Sequence, residues 1–87
     1  IVIKDLYPRA PFHFLIIPKK HSVNLTAFTQ NDKSLAGALL LMAKELSASD
    51  PRTAEFRLVS NNGVEAGQVV LHTHIHFLAG LNFKESI

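Results

Sequence analysis

The amino-acid sequence predicts an α+β fold in which an antiparallel β-sheet carries one main α-helix on one face. Two observations predict this class. Residues 12–17, 55–60 and 69–78 are rich in β-branched, aromatic and aliphatic side chains, as is typical of strands. Residues 33–49 instead repeat apolar side chains at helical spacing. The length and a hydrophobic content of 47% fit a single globular domain over residues 1–87.

The first two strands are separated by a connection that contains proline. Residues 1–4 are predicted to be the end of a strand, and Pro8 and Pro11 interrupt the connection because proline donates no backbone hydrogen bond. Residues 12–17 are apolar on both faces, which indicates a central strand, and Pro18 ends it. Because the chain begins within the first predicted strand, without an initiator methionine, we expect it to be part of a slightly longer protein.

The helix is predicted over residues 33–49. Asn31 or Asp32 can cap its N-terminus. Asp50 precedes Pro51 and is expected to end the helix, since the residue before a proline avoids the helical region.

One side of the predicted helix is apolar and would pack on the odd-numbered face of strand 69–78. The residues of this stripe are Leu35, Ala38, Leu39, Met42 and Leu46. Leu40 and Leu41 make the apolar surface wider than one core contact requires, which indicates an oligomer contact or a missing element that would cover it.

Charge and cysteine content limit the function classes. The formal net charge is only +2, and the basic residues are scattered, which argues against nucleic-acid binding despite a pI near 9.2. A modest positive charge suits a small anionic substrate. There is no cysteine to form a disulfide and no apolar run approaching the roughly 18 residues of a membrane span. With no visible signal peptide, we expect a cytoplasmic protein without a membrane partner.

Three histidines at alternate positions dominate the predicted strand 69–78. Because strand side chains alternate between faces, His72, His74 and His76 share one face, and the other face is a core surface. Neighbouring imidazoles would lie roughly 6–7 Å apart, so two of them could bind one zinc ion but a straight strand could not bring all three to it. The alternative is phosphate chemistry, with one imidazole as nucleophile and its neighbours supplying protons and hydrogen bonds. Three half-buried structural histidines are the third reading, which the spacing disfavours.

Two further features can complete a phosphate site. His13 lies within an apolar strand and is either a buried core residue or a member of the site. Residues 61–68 contain two asparagines and two glycines, which permit positive φ and bring backbone N–H groups close to a ligand. The composition of this segment by itself favours an ordinary hairpin loop.

The three histidines and the two residues after them form a motif that resembles the signature of the histidine-triad (HIT) superfamily: His72-x-His74-x-His76-Phe77-Leu78. Thr73 is its one imperfect position. Residues 10–21 look like the strand and exit of the Hint branch, and residues 61–68 resemble its phosphate loop. The resemblance to this branch implies a protein similar to purine nucleoside phosphoramidases. The resemblance covers nearly the whole chain and implies a HIT-like fold without the family's N-terminal helix, first strand and much of its C-terminal tail.

The resemblance implies catalytic roles for four histidines. His74 matches the nucleophile that attacks the α-phosphorus of a nucleotide, and His76 matches the residue that contacts the phosphate and assists the leaving group. His72 matches the residue that helps hold the tautomer of the nucleophile, largely through its backbone carbonyl. His13 matches a further histidine behind the triad.

The remaining matches concern nucleotide binding. Asp5 matches the acidic residue that hydrogen-bonds the ribose hydroxyls, with Ile3 and Leu6 beside the base. Four positions match those that line the phosphate: Asn61, Gly67, Gln68 and Val69. In the Hint branch the last of these is usually serine or threonine, whose hydroxyl reaches the phosphate, so valine there predicts lower catalytic efficiency but the same reaction class.

A structural zinc occurs in some bacterial relatives, held by two N-terminal cysteines and two histidines. His21 and His72 match the two histidine positions. Without cysteine the chain cannot complete that four-ligand site. The nucleophilic scheme requires no metal, and no cofactor is expected.

The resemblance implies an enzyme that hydrolyses purine nucleoside phosphoramidates, or related AMP or GMP conjugates, through a covalent nucleotidyl-histidine intermediate. It also implies a homodimer in which the sheets of two subunits join. Hydrolysis of dinucleoside polyphosphates is the alternative within the same enzyme class, although the Pro18-to-His21 exit favours the Hint branch. Val69 keeps open a nucleotide-binding module with little turnover, and a histidine-based metal protein is a further alternative.

Overall fold

The strands and the main helix have these bounds: β1 Val2–Lys4, β2 Phe12–Ile16, α1 Lys33–Ala48, β3 Phe56–Val59 and β4 Ile75–Ala79. Within residues 1–84, which the computed structural model describes, the strands form one antiparallel sheet in the order β1-β2-β4-β3. The predicted α+β class and the central position of β2 are therefore confirmed. The domain predicted from the sequence extends to residue 87, so its last three residues lie outside the described part.

Helix α1 packs on the face of the sheet formed by the odd-numbered residues of β4, as predicted. Leu39 and Ala43 of the helix form one buried cluster with Ile75 and Phe77 of β4 and with Ile16 of β2. Burying a leucine, isoleucine or phenylalanine side chain contributes about 1.5–3 kcal/mol, so this cluster holds the helix to the sheet. The opposite face of the sheet carries the even-numbered residues of β4.

One residue of the predicted helix stripe is misplaced. Ala38 is exposed, whereas Ala43 is buried. Ala43 lies one turn after Leu39 and shares its face, while Ala38 is rotated about 100° around the helix axis from Leu39. Leu40 and Leu41 are exposed as well, so they widen the apolar surface of the helix without joining the core.

The predicted helix bounds agree with α1 to within one residue, but the predicted side-chain cap does not form. Asp32 occupies the N-cap position, yet its carboxylate accepts the backbone N–H of Thr29 at 2.9 Å and so closes a short 3₁₀ turn before the helix. Asp50 is extended before Pro51, as predicted. No helix in residues 1–84 has the length and apolar character needed to cross a membrane.

The prediction of a strand from residue 69 is wrong, because β4 begins only at Ile75. Strand β2 ends before Pro18, and its last paired residue, Ile16, is opposite Ile75. The residues ahead of Ile75 therefore have no ladder partner on β2. The backbone N–H of Thr73 donates instead to the carbonyl of Ser22 at 2.8 Å.

The late start of β4 changes which side chains are buried. Val69 and Leu71, predicted on the core face, are 89% and 60% exposed. Of the three motif histidines, only His76 lies on the strand itself; His72 and His74 lie in the segment that leads into it.

Candidate active site

A cavity of about 360 Å³ lies on the sheet face opposite α1. The pairing of the strands builds it, because His76 of β4 is opposite Leu15 of β2 and Val59 of β3, and His13 is opposite Leu78. The residues that line the cavity are Asp5, Tyr7, Arg9, His13, Leu15, Val59, Asn61, Gly67, Val69, Val70, His74, His76 and Leu78. Its size and its mixture of apolar and polar walls are typical of small-molecule sites.

The ring of His74 is held by the backbone of His72. His74 Nδ1 lies 2.7 Å from the carbonyl oxygen of His72. Since a carbonyl only accepts, Nδ1 carries the proton and the lone pair lies on Nε2. Nε2 of His74 has no hydrogen-bond partner within residues 1–84. Because every buried side-chain nitrogen in these residues does have such a partner, Nε2 is not buried and is accessible from the cavity. His74 thus presents an imidazole lone pair, as a nucleophile requires.

His76 lies beside His74, with ring centroids 5.1 Å apart. Burial lowers the pKa of His76 below its ordinary value of 6.5, and the charges of His74, His13 and Arg9 act in the same direction while Asp5 opposes them. The neutral imidazole is therefore favoured at neutral pH.

Asp5 lies next to the histidines and is oriented by the backbone. The N–H of Tyr7 donates to Asp5 Oδ1 at 2.7 Å. The other oxygen, Oδ2, lies 3.4 Å from His13 Nε2 and 4.0 Å from His76 Nδ1. A carboxylate held in this way retains lone pairs that can accept hydrogen bonds from hydroxyl groups of a ligand.

Asp5, His13 and His76 place three potential metal-ligand atoms within 4.8 Å of one another. A metal ion would need the lone pair of His13 on Nε2. The backbone N–H of Arg9, however, donates to His13 Nδ1 at 3.0 Å, which leaves the proton of the neutral ring on Nε2. The cluster therefore fits a hydrogen-bond network better than a metal site.

The connection between β3 and β4 supplies one wall of the cavity through Asn61, Gly67 and Val69. Gly63 and Gly67 have φ values of +97° and +94°. Side chains with a Cβ rarely adopt this conformation, so glycine permits the turn, as the sequence predicts.

Gln68, predicted to line the phosphate, is buried and does not line the cavity. Its Oε1 accepts Asn24 Nδ2 and the backbone N–H of Gly63, each at 2.9 Å. Its Nε2 donates to the carbonyls of Val23 at 2.6 Å and Val70 at 2.9 Å. Both amide hydrogens and the amide oxygen are therefore used within the protein.

Residues 1–83 match the sequence model of a known family, the HIT domain. The chain belongs to the HIT domain family.

The relatives of this HIT domain include proteins of similar sequence and fold. A HIT-like protein of Synechocystis sp. is 49% identical over 84 residues, which are 97% of this chain and 74% of that protein. A HIT family hydrolase of Legionella pneumophila Philadelphia 1 is 36% identical with a TM-score of 0.88, over 93% of this chain and 73% of that one. A HIT family hydrolase of Clostridium thermocellum is 34% identical with a TM-score of 0.91, over 99% and 76%. The chain thus has the fold of HIT family hydrolases and spans about three quarters of these relatives.

The HIT resemblance also assigned two apolar residues to the base, and the structure does not bring them to the cavity. Ile3 lies on β1 and is exposed, and Leu6 in the following connection is 87% exposed. Neither residue lines the cavity that Asp5 shares with the histidines.

The two histidines that match zinc ligands of HIT relatives do approach each other. The Nδ1 atoms of His21 and His72 are 3.2 Å apart, and His72 Nε2 lies 3.1 Å from the carbonyl oxygen of Pro18. The sequence has no cysteine, and neither histidine belongs to a group of three or more metal-binding side chains within residues 1–84. The residues present therefore do not fit a four-ligand zinc site.

Two polar residues that line the cavity of this HIT domain, Tyr7 and Arg9, were not predicted from the sequence. Both lie in the connection between β1 and β2, and Arg9 adds a positive charge near His76. The sequence signal that could have indicated them is that Tyr7 and Arg9 are two and four residues after Asp5, the predicted ribose ligand. That signal is weak because side-chain directions in a connection do not follow from alternation alone.

Proposed function

We propose that this protein hydrolyses purine nucleoside phosphoramidates or related AMP or GMP conjugates through a covalent intermediate on His74. The observation that carries the proposal is the accessible lone pair of His74 Nε2 in the cavity, with Nδ1 fixed by the His72 carbonyl at 2.7 Å. The HIT family hydrolases of similar fold support a hydrolytic reaction.

The proposed reaction has two displacements. The Nε2 lone pair of His74 attacks phosphorus and forms a P–N bond, while the bond from phosphorus to the leaving amine breaks. The amine departs with that electron pair and takes up one proton. Water then attacks phosphorus, loses a proton and displaces His74, which releases the nucleoside monophosphate.

Groups around His74 stabilise the charge and the nucleotide in this scheme. An N–H donor on His76 at the cavity wall can bind a non-bridging phosphoryl oxygen, on which negative charge develops. In this scheme the carboxylate of Asp5 accepts hydrogen bonds from the ribose hydroxyls, and Asn61 and Gly67 lie beside the phosphate. None of these steps needs a metal ion.

The test is hydrolysis of an adenosine phosphoramidate. We expect AMP as the product, and His74→Ala should reduce kcat by at least about a thousandfold because no other group replaces the nucleophile. Lys44→Gln, on the exposed side of α1, is the matched folded control with unchanged kcat. Intact mass after rapid quenching should show one nucleotidyl group on the wild type and none on His74→Ala. Equal rates for the wild type and His74→Ala contradict the proposal.

Val69 favours a second candidate, a nucleotide-binding module with little turnover. This residue lines the cavity, is 89% exposed and has no hydroxyl to offer a phosphate. AMP binding measured by calorimetry, together with no hydrolysis of either an adenosine phosphoramidate or a diadenosine polyphosphate, supports the binding module. Faster hydrolysis of the polyphosphate supports the other hydrolase branch.

If the hydrolase proposal is correct, Val69→Ser should raise kcat/KM about tenfold by adding a hydroxyl donor to the phosphoryl group. Val64→Ser is the matched control, because Val64 is exposed in the same loop but does not line the cavity. Steady-state hydrolysis of an adenosine phosphoramidate by the two variants makes the comparison, and equal values for both contradict this role of position 69.

A further inference from the structure

We propose that His13 is a positioning residue that holds His76 in the tautomer with its proton on Nε2, so that His76 presents an N–H donor to the phosphoryl group. The assignment of the tautomer rests on the hydrogen bonds of the free protein. Only its catalytic consequence rests on the proposed function.

The hydrogen bonds that orient His13 and His76 begin at the backbone of Arg9. His13 is buried, with 6% of its surface exposed, and its Nδ1 lies 3.0 Å from the Arg9 nitrogen. A backbone N–H only donates, so His13 Nδ1 must accept and has no proton of its own. The proton of the neutral ring is therefore on Nε2.

The Nε2–H of His13 has two acceptors nearby. His76 Nδ1 is 2.9 Å away and hydrogen-bonded, whereas Asp5 Oδ2 is at 3.4 Å. Because His13 donates to His76 Nδ1, that nitrogen holds a lone pair and the neutral His76 carries its proton on Nε2. Within residues 1–84 His76 Nε2 has no hydrogen-bond partner. Because every buried side-chain nitrogen in these residues does have one, His76 Nε2 is not buried, and its N–H is open to a ligand.

The two neighbouring histidines are thus held in opposite tautomers by two different backbone groups. The His72 carbonyl places the proton of His74 on Nδ1 and leaves Nε2 with a lone pair. The Arg9 N–H, acting through His13, places the proton of His76 on Nε2. One ring can therefore attack phosphorus while the next ring donates to a phosphoryl oxygen.

Because Asp5 also lies near His76 Nδ1, His13 is needed to keep the proton off that nitrogen. Asp5 Oδ2 is 4.0 Å from His76 Nδ1. Without the N–H of His13 in between, this carboxylate would favour a proton on His76 Nδ1 and leave a lone pair on Nε2. A lone pair there repels a phosphoryl oxygen, so the wrong tautomer lowers the rate of the chemical step.

The first test is NMR of the free wild-type protein with ¹⁵N-labelled histidine, above about pH 8, where unperturbed imidazoles are neutral. Long-range ¹H–¹⁵N correlations distinguish protonated from unprotonated ring nitrogens, and His74→Gln and His76→Gln assign the signals. We expect a protonated Nε2 for His76 and a protonated Nδ1 for His74. A protonated Nδ1 on His76, or an averaged mixture of tautomers, overturns the proposal.

The second test compares His13→Gln with His13→Met, two side chains of nearly equal shape. The glutamine oxygen can accept the Arg9 N–H while its amide donates to His76 Nδ1; methionine can do neither. We expect His13→Gln to keep the Nε2–H tautomer of His76 and most of kcat. His13→Met should shift the proton toward Nδ1 and lower kcat at least about tenfold with little change in KM.

The outcomes separate this inference from the proposed hydrolysis. A purely structural role of His13 predicts equal loss in both variants and no change in the His76 tautomer, and that result overturns the inference. The expected tautomers in a wild type that hydrolyses no phosphoramidate support the inference and contradict the proposed function.

Discussion

The histidines of this site are oriented by backbone groups. His74 donates to the carbonyl of His72, and His13 accepts from the N–H of Arg9. Backbone groups neither gain nor lose protons, so these two contacts fix the tautomers of the neutral His74 and His13 rings. The sequence predicts that His72, His74 and His76 share one face of a strand, but only His74 and His76 line the cavity, because β4 begins at Ile75. The sequence does not predict the tautomer of His76, because that depends on His13, which is distant in the sequence.

The pKa of His76 gives a prediction for stability. Burial lowers this pKa in the folded protein below the ordinary 6.5, so between the two values the unfolded chain binds more protons than the folded one. The contribution of His76 to the free energy of unfolding is therefore complete above about pH 6.5 and is lost as the pH falls from there through the folded pKa.

We expect the thermal midpoint of His76→Gln to fall less than that of the wild type between about pH 7.5 and about pH 5, because glutamine does not titrate. Circular dichroism at a series of pH values measures both midpoints, and Lys44→Gln should follow the wild-type curve. A fall of equal size in His76→Gln and wild type would show that His76 does not contribute.

At the scale of elements, local patterns were sufficient for most bounds. The bounds of helix α1 and strands β2 and β3 agree with the bounds predicted from the sequence to within one residue at each end. Hydrophobic periodicity and flanking prolines are local signals, so they can be read without knowing the fold. The start of β4 could not be predicted locally. It depends on where β2 stops supplying a ladder partner, which is a long-range property of the sheet.

Gln68 shows the same limitation in a loop. The family resemblance implies a phosphate contact for Gln68, but its amide joins segments far apart in the chain through Asn24 and Val23. Four hydrogen bonds to one buried amide fix the loop that supplies Gly67 and Val69 to the cavity.

Gln68→Met should therefore lower the free energy of unfolding by at least about 2 kcal/mol, because it leaves buried donors and acceptors without partners in a side chain of similar volume. Gln30→Met is the matched control on the surface and should change it by less than about 0.5 kcal/mol. Urea denaturation measures both. Equal effects at the two positions contradict a structural role for the Gln68 amide.

At the scale of the whole molecule, the fold class follows from the sequence, whereas the composition of the cavity does not. The cavity joins Asp5 and Arg9 ahead of β2 to Asn61 after β3 and to His76 on β4. Their proximity is set by the β1-β2-β4-β3 order, which places β4 between β2 and β3. Tyr7 and Arg9 reach the cavity because β1 lies beside β2 at the edge of this sheet, which is a long-range property that local patterns do not contain.

The exposed apolar surface of α1 leads to a prediction about assembly. Leu40 and Leu41 are 60% and 63% exposed on the helix, and within residues 1–84 strands β1 and β3 are the two edges of the sheet. Adjacent exposed leucines and open sheet edges are features that a second copy of the chain can cover. We therefore propose a homodimer, as the family resemblance also implies.

Sedimentation velocity at micromolar concentration should give a mass twice the 9.6 kDa of one chain. Leu41→Glu should shift the protein toward the monomer, because an interface that buries a carboxylate loses the apolar contact and must also desolvate a charge. Ala27→Glu, at an exposed position outside α1 whose side chain makes no hydrogen bond, should leave the dimer intact and controls for the added negative charge. A monomeric wild type contradicts the proposed dimer. If Leu41→Glu remains a dimer, the interface does not include this part of α1, and the edge strands β1 and β3 are the next elements to substitute.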